Sequence, residues 1–234
     1  MILHIPHAST KFPQNHQPIS DLTKSLNQLT DWYTDEIFTS LGATRVVFDY
    51  SRLFCDVERL TNDPLEEVGR GICYKTGFDG EIIEFDVSDE DRKLFYTKHH
   101  NKLLSVCENQ LSLIERCVIV DCHSFSPKQI NLADDECPDI CIGVNEKTTS
   151  NELCNIIVES FSDMGYKVKI NYPFSNSILP WNDERIDGLE TVMIEVNKKN
   201  YLSEDYKKGE NFEKVKNDIS KVLEFIKDYE FNAS

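Results

Sequence analysis

The sequence has no long apolar run and little positive charge. None of its 234 residues belongs to an uninterrupted apolar stretch that approaches the roughly 20 residues a membrane span needs. Its N-terminus lacks a basic segment followed by a long apolar one. We therefore expect a cytoplasmic protein with no membrane partner.

Lysine and arginine number 25 against 41 acidic residues, a formal net charge of −16. Because phosphate backbones bind basic surfaces, this charge argues against a nucleic-acid partner.

Cysteine pairs with metal-binding spacing are also missing. The chain has eight cysteines but no Cys-x-x-Cys pair, which argues against a structural zinc knuckle. Cysteine within an apolar run behaves as a small hydrophobic residue, and we expect these thiols to be reduced. Five of them lie in such runs: Cys55, Cys117, Cys122, Cys141 and Cys154.

No linker, internal repeat or low-complexity tract divides the chain, so we expect a single domain over residues 1–234. Hydrophobic residues at 40% and charged residues at 28% are ordinary for a globular protein with a core. A chain of this length buries roughly 70–75% of its unfolded surface.

Strand and helix patterns alternate along most of the length. β-branched or apolar runs predict strands at residues 2–5, 44–50, 53–57, 117–123, 139–144, 166–172 and 191–197. Apolar residues spaced by three and four predict one or two helices within 20–43, and further helices at 89–115, 152–165 and 215–229. A turn-rich segment at 175–188 precedes the last strand. This order predicts a three-layer α/β fold, with a mainly parallel mixed sheet covered by helices on both faces.

Two of the predicted strands end at a histidine. His7 follows the first strand, His123 closes VDCH, and Glu195 lies near the end of the last strand. In open α/β sheets, ligands bind beyond the carboxyl ends of strands. Asp121 and His123 point to one face of their strand, and a carboxylate beside an imidazole often fixes the tautomer of a metal ligand. Two histidines and a carboxylate predict an open zinc site with a fourth position for water.

Glu195 is flanked by apolar residues in MIEV, which favours a buried carboxylate with a specific role over a surface acid. Zinc lowers the pKa of water to about 7, and Glu195 is predicted to accept the proton as general base. Cys122 points away from His123 on the strand, which excludes a Cys-His nucleophile pair. His99 and His100 are about 100° apart on a helix, so only one of them can face the site.

Arg52 and Arg59 lie close together in SRLFCDVER. Guanidinium groups bind carboxylates in bidentate fashion, so two arginines near a zinc ion favour a substrate that carries a carboxylate. Structural ion pairing with Asp49 or Asp56 is the competing interpretation, and the sequence leaves both open.

Eight short motifs follow one another along the chain, up to about residue 197: IPHAS, TDWYTD, SRLFCDVER, YTKHH, VDCHS, PDICIGV, NYPF and MIEVN. In their order and approximate spacing they resemble the N-formylglutamate amidohydrolase family. The resemblance implies a zinc-dependent hydrolase with a fold similar to zinc carboxypeptidases and aspartoacylase. It assigns zinc binding to His7 and His123, and the general base to Glu195. Arg52 and the pair Glu58-Arg59 match positions that hold the substrate's carboxylate in these relatives.

The sequence departs from the family pattern at two positions. Thr10 stands where a carboxypeptidase-like HxxE spacing needs an acid, so we expect the third ligand to be Asp31, with Asp35 as second choice. Residues four apart on one helix share a face, so sequence geometry alone does not separate these two. Glu58 stands where many family members have Asn, and its charge would repel a second substrate carboxylate.

We therefore expect an amidohydrolase that cleaves an N-formyl or N-acyl amino acid, a small carboxylate-bearing amide, by metal-activated water. His100 or an arginine is predicted to stabilise the oxyanion, and Ser124 to contact the substrate. Two alternatives remain open on the same scaffold. One is a metallo-carboxypeptidase or peptidoglycan-type peptidase, and the other is a non-catalytic binding protein.

Overall fold

The computed structural model describes residues 1–130, 132–133, 136–179 and 186–232, so residues 180–185 of the predicted turn-rich segment lie outside the described residues. The strands are β1 Ile2–Ile5, β2 Thr44–Val47, β3 Cys117–Phe125, β4 Ile140–Gly143, β5 Val168–Ile170 and β6 Leu189–Asn197. The helices are α1 Thr23–Leu29, α2 Thr34–Ile37, α3 Asp89–Ile114, α4 Pro127–Ile130, α5 Asn151–Asp163 and α6 Phe212–Asn232. Short 3₁₀ turns form at Pro64–Val68, Phe78–Gly80 and Lys198–Asn200.

The strands form one six-stranded sheet in the order β2-β1-β3-β6-β4-β5. The pairs β2-β1, β1-β3 and β3-β6 are parallel. Strand β4 is antiparallel to β6, and β5 is parallel to β4. The predicted mainly parallel mixed sheet is therefore confirmed.

Helices cover both faces of this sheet, because strand residues alternate between two cores. The larger core joins one face to α5 and α6 and includes Leu3, Val120, Ile157, Ile194 and Val222. A smaller core joins the other face to α3 and includes Ile2, Leu103, Cys107 and Ile119. All eight cysteines are free and buried, including the five that were predicted to lie in apolar runs. Within the described residues, no helix has the length and apolar character required to cross a membrane.

The strand predicted at 53–57 is wrong, because this segment is a turn. The backbone N–H groups of Phe54 and Cys55 donate to the carbonyl of Ser51 at 2.9 and 3.3 Å. The buried guanidinium of Arg92, on α3, donates to the Phe54 carbonyl at 2.7 Å. Alternating apolar residues here pack in a loop whose backbone groups are satisfied by turn and side-chain bonds, not by a strand partner.

The chain breaks between α1 and α2 where one continuous helix was also possible. Tyr33 has a φ of 60°, in the left-handed region, which ends helical continuity. Asp31 lies in this break, and its backbone N–H donates to the carbonyl of His7 at 3.0 Å. The break therefore places Asp31 beside the end of β1.

Candidate active site

Three side chains converge at the carboxyl ends of β1 and β3. Asp31 Oδ2 lies 3.5 Å from His7 Nδ1 and 3.2 Å from His123 Nδ1, and all three residues are buried. Ligand atoms placed tetrahedrally about 2.0–2.1 Å from one zinc ion are about 3.3 Å apart. The two distances to Asp31 therefore match the spacing of a shared metal ion, and the ligand atoms of all three residues lie within 4.8 Å of one another.

Each histidine is held from behind by a buried carboxylate. His7 Nε2–H donates to Asp56 Oδ1 at 2.8 Å, and His123 Nε2–H donates to Asp121 Oδ1 at 3.0 Å. Carboxylates only accept hydrogen bonds, so both Nε2 atoms carry a proton, and both Nδ1 atoms face Asp31. His123 Nδ1 also lies within hydrogen-bond distance of Asp31 Oδ2. Burial opposes charging of His123, but Asp121 and Asp31 outweigh it and raise the pKa of His123 in the metal-free chain. Buried His7 Nδ1 has no hydrogen-bond partner among the described residues. This tautomer suits metal ligation, and the expected contact between Asp121 and His123 is present.

A second group, of His4, Glu58 and Asp121, lies behind the first. His4 Nδ1 is 2.8 Å from Asp121 Oδ1 and 3.0 Å from Glu58 Oε1, and His4 Nε2 is 2.8 Å from His99 Nε2. Burial opposes charging of His4, but Asp121 and Glu58 outweigh it and raise the pKa to about 9. Burial lowers the pKa of His99 to about 2, so His4 donates to a neutral His99. His4 thus forms hydrogen bonds to Asp121 and His99 and an ion pair with Glu58, and these contacts hold the group together through the protons of His4.

Glu195 lies opposite His123 in the parallel register of β3 and β6. It is 7% exposed, and its Oε2 has no hydrogen-bond partner within the described chain. Burial raises the pKa of Glu195 to about 8, against the opposing effect of His123. A carboxyl group of this kind is suited to exchanging a proton near neutral pH.

Lys198 is a buried cation at this site that sequence reasoning missed. Its Nζ lies 3.8 Å from Asp31 Oδ1 and donates to the carbonyl of Gln28 at 3.2 Å. Burial lowers the pKa of Lys198 to about 8, while Asp31 and Glu195 oppose that shift. A lysine that follows a strand carries no local signal of burial, so the sequence offered nothing to identify it.

Arg52 and Arg59 both contact the buried carboxylate of Asp56. Nε and one terminal nitrogen of Arg52 donate to Asp56 Oδ2 at 3.2 and 2.8 Å. Nε of Arg59 lies 3.4 Å from the same oxygen, and a terminal nitrogen donates to the Tyr74 hydroxyl at 3.2 Å. Of the two ion pairs that the sequence left open, the one with Asp56 forms. The guanidinium side chains stay 15% and 21% exposed, so part of each remains accessible.

Of the two adjacent histidines on α3, His99 contacts His4 in the group behind His7 and His123, and His100 does not. His100 Nε2–H donates to the carbonyl of Val57 at 2.8 Å, and burial lowers the pKa of His100. The nitrogen that carries the proton of His100 is thus occupied by backbone. Its role as an oxyanion donor stays a prediction.

Two further predicted residues occupy different surroundings. Ser124 is buried, and strand alternation places its side chain on the face of β3 opposite to that of His123. Asp35, the second choice for the third ligand, is exposed on α2. Only Asp31 of the two acids approaches the histidines.

Comparison with protein-family models identifies one match over most of the chain. The model for N-formylglutamate amidohydrolase matches residues 1–202. A comparison with curated protein sequences found no match.

Two solved structures share the fold. The crystal structure of N-formylglutamate amidohydrolase from Ralstonia eutropha JMP134 matches with a TM-score of 0.87 at 16% identity, covering 100% of this chain and 94% of the other. A gene product of Agrobacterium tumefaciens matches with a TM-score of 0.65 at 20% identity, covering 97% and 91%. The chain therefore belongs to the N-formylglutamate amidohydrolase family and is a hydrolase that acts on amide bonds.

Proposed function

We propose that the chain is a zinc-dependent amidohydrolase of N-formyl or N-acyl amino acids, with zinc bound by His7, Asp31 and His123. The observation that carries this proposal is the preformed spacing of 3.2 and 3.5 Å between Asp31 Oδ2 and the two Nδ1 atoms. Two imidazoles and one carboxylate are a donor set typical of catalytic zinc. Nδ1 of His7, which has no hydrogen-bond partner in the described part of the chain, supports the same conclusion, because a buried nitrogen without a partner is costly.

Zinc bound there would supply Lewis acidity, which acidifies water and polarises the amide carbonyl. The chain's own part in the reaction is proton transfer. Glu195 accepts a proton from the attacking water at Oε2, which has no hydrogen-bond partner among the described residues, and then donates it to the leaving nitrogen. No side chain has to act as nucleophile. This agrees with the position of Cys122, which is buried in the larger core, on the face of the sheet opposite to His123.

The substrate's carboxylate is assigned to Arg52 and Arg59. A guanidinium has five N–H donors, and Asp56 engages only two nitrogens of Arg52. The remaining donors and the exposed part of both side chains suit a carboxylate. Glu58, the residue before Arg59, lies 3.0 Å from His4 Nδ1 and contributes negative charge next to the substrate.

Two assigned residues need their own tests. If His100 stabilises the oxyanion, His100→Ala lowers kcat and leaves KM nearly unchanged, because the contact forms only in the transition state. If Ser124 binds substrate, Ser124→Ala raises KM instead. A variant with wild-type kinetic constants removes that residue from the assignment.

The test of the proposed function is a substrate panel assayed on zinc-loaded and chelated protein. We expect zinc-dependent release of formate from N-formyl-L-glutamate or of acetate from N-acetyl amino acids. Hydrolysis of dipeptides in preference to both would favour the metallo-carboxypeptidase or peptidoglycan-type alternative. Absence of hydrolysis across the panel with one bound zinc would favour a binding protein.

A further inference from the structure

Asp56 is a fully buried carboxylate whose two oxygens face different parts of the site. Its Oδ1 accepts the Nε2–H of His7 at 2.8 Å and the backbone N–H of Glu58 at 3.0 Å. This oxygen fixes the ring of the proposed zinc ligand. The Asp56 backbone is held as well, since its N–H donates to the carbonyl of Ile72 at 2.8 Å.

The second oxygen of Asp56 is held by three other side chains. Oδ2 accepts from Arg52 at 2.8 Å and from the Tyr74 hydroxyl at 3.1 Å, and Arg59 Nε lies 3.4 Å away. These groups fill the lone pairs of Oδ2 and leave Oδ1 to His7. The carboxylate plane is therefore fixed on one side by the arginines and on the other by the ligand.

We propose that Asp56 is a positioning residue that sets the tautomer of His7, and that Arg52, Arg59 and Tyr74 hold it in place. This inference rests on the proposed zinc site. It gives the two arginines a second role: besides facing the substrate, they orient the group behind a metal ligand. Partners of this kind behind zinc-bound histidines are worth 10–100-fold in metal affinity.

Asp56→Asn tests the inference, because an amide has only one acceptor oxygen. Two guanidinium groups compete for that oxygen, so the amide NH₂ turns towards His7. A donor facing Nε2 reverses the tautomer and puts the proton on Nδ1, where it blocks metal binding. We expect zinc affinity, measured by competition with a chelator, to fall about 10–100-fold.

Asp63→Asn is the matched control. Asp63 lies in the same loop, and its carboxylate is 3.9 Å from Arg59 and has no contact with His7 among the ion pairs and hydrogen bonds of the described residues. An asparagine there can still accept the N–H of Leu65. We expect its zinc affinity to match the wild type.

A double-mutant cycle separates positioning from a general structural effect. In a His7→Ala background, Asp56→Asn should cause no further loss of zinc affinity, because its effect acts through His7. An equal loss in both backgrounds would overturn the inference. So would wild-type zinc affinity in folded Asp56→Asn protein.

A spectroscopic measurement on the unaltered chain covers the case in which Asp56→Asn does not fold. Long-range ¹H–¹⁵N spectra of the zinc-loaded protein should show His7 protonated at Nε2 and coordinated through Nδ1. Coordination through Nε2 would overturn the inference. If the wild-type chain binds no zinc, the proposed function fails instead, and the two failures are therefore distinguishable.

Discussion

Replacement of Glu195 by Gln tests the proposed base, because it keeps size and polarity but removes the proton acceptor. Glu195 lies opposite His123 across β3 and β6, with Oε2 buried and unpartnered among the described residues. A general base contributes about 10²–10⁴-fold to turnover, or roughly 3–5 kcal/mol of activation free energy. We expect kcat to fall by that factor while zinc content stays near one per chain. If Glu195 were a zinc ligand, the same change would weaken metal binding, since a neutral amide is a poorer ligand.

The same variant should change how the stability of the metal-free chain depends on pH. Burial raises the pKa of Glu195 from 4.5 to about 8. The folded chain therefore keeps a proton that the unfolded chain releases, so this group's stabilisation is complete below pH 4.5 and is lost as pH rises through 8. At about 1.4 kcal/mol per pKa unit, the loss between pH 5 and 8 is roughly 3–4 kcal/mol.

Urea unfolding of chelated protein at pH 5 and pH 8 measures this effect. The free energy of unfolding should fall more with pH in the wild type than in Glu195→Gln, by that 3–4 kcal/mol. Glu204→Gln, at an exposed position, serves as control and should follow the wild type. Parallel pH dependences for wild type and Glu195→Gln would refute the assignment of a buried, high-pKa carboxyl. Wild-type turnover with full zinc would refute its role as base.

Three further predictions concern the ligands and the substrate. Asp31→Asn should lower zinc affinity at least tenfold, and Asp35→Asn should leave it unchanged, since of these two acids only Asp31 lies beside the histidines. Chelator competition measures both variants, and the reverse result would make Asp35 the ligand. The double variant His7→Ala, His123→Ala should bind no stoichiometric zinc by metal analysis, and retained zinc would place the site elsewhere. Arg52→Lys should raise KM for carboxylate substrates about tenfold because an ammonium cannot bind in bidentate fashion, and an unchanged KM would limit Arg52 to its pairing with Asp56.

The strands that build the site were predictable because they are buried apolar runs that end at polar residues. His7, His123 and Glu195 could be placed together from strand ends alone, since carboxyl ends of parallel strands meet at one edge. Asp31 was preferred to Asp35, but helix geometry gave no reason for that choice. The difference between the two acids depends on a helix break at Tyr33, which the regular apolar spacing of the segment does not indicate.

Asp56 is a buried acid that was not predicted from the sequence. It stands between buried Cys55 and Val57, the same kind of setting that identified Glu195 as a buried acid. The strand predicted at 53–57 would point Asp56 away from Cys55 and Val57. In the structure, this apolar alternation belongs to a turn that is held by Ser51 and Arg92. Contacts of that kind join residues distant in sequence, and no local pattern reports them.

The most direct test of the central claim is to measure zinc content and amide hydrolysis on the same sample, before chelation, after chelation and after zinc is restored. N-formyl-L-glutamate is the first substrate, with formate release as the readout. We predict about one zinc per chain, loss of hydrolysis with loss of the metal, and recovery of both together. A metal-free sample that hydrolyses the substrate at the rate of the zinc-loaded enzyme would contradict the account.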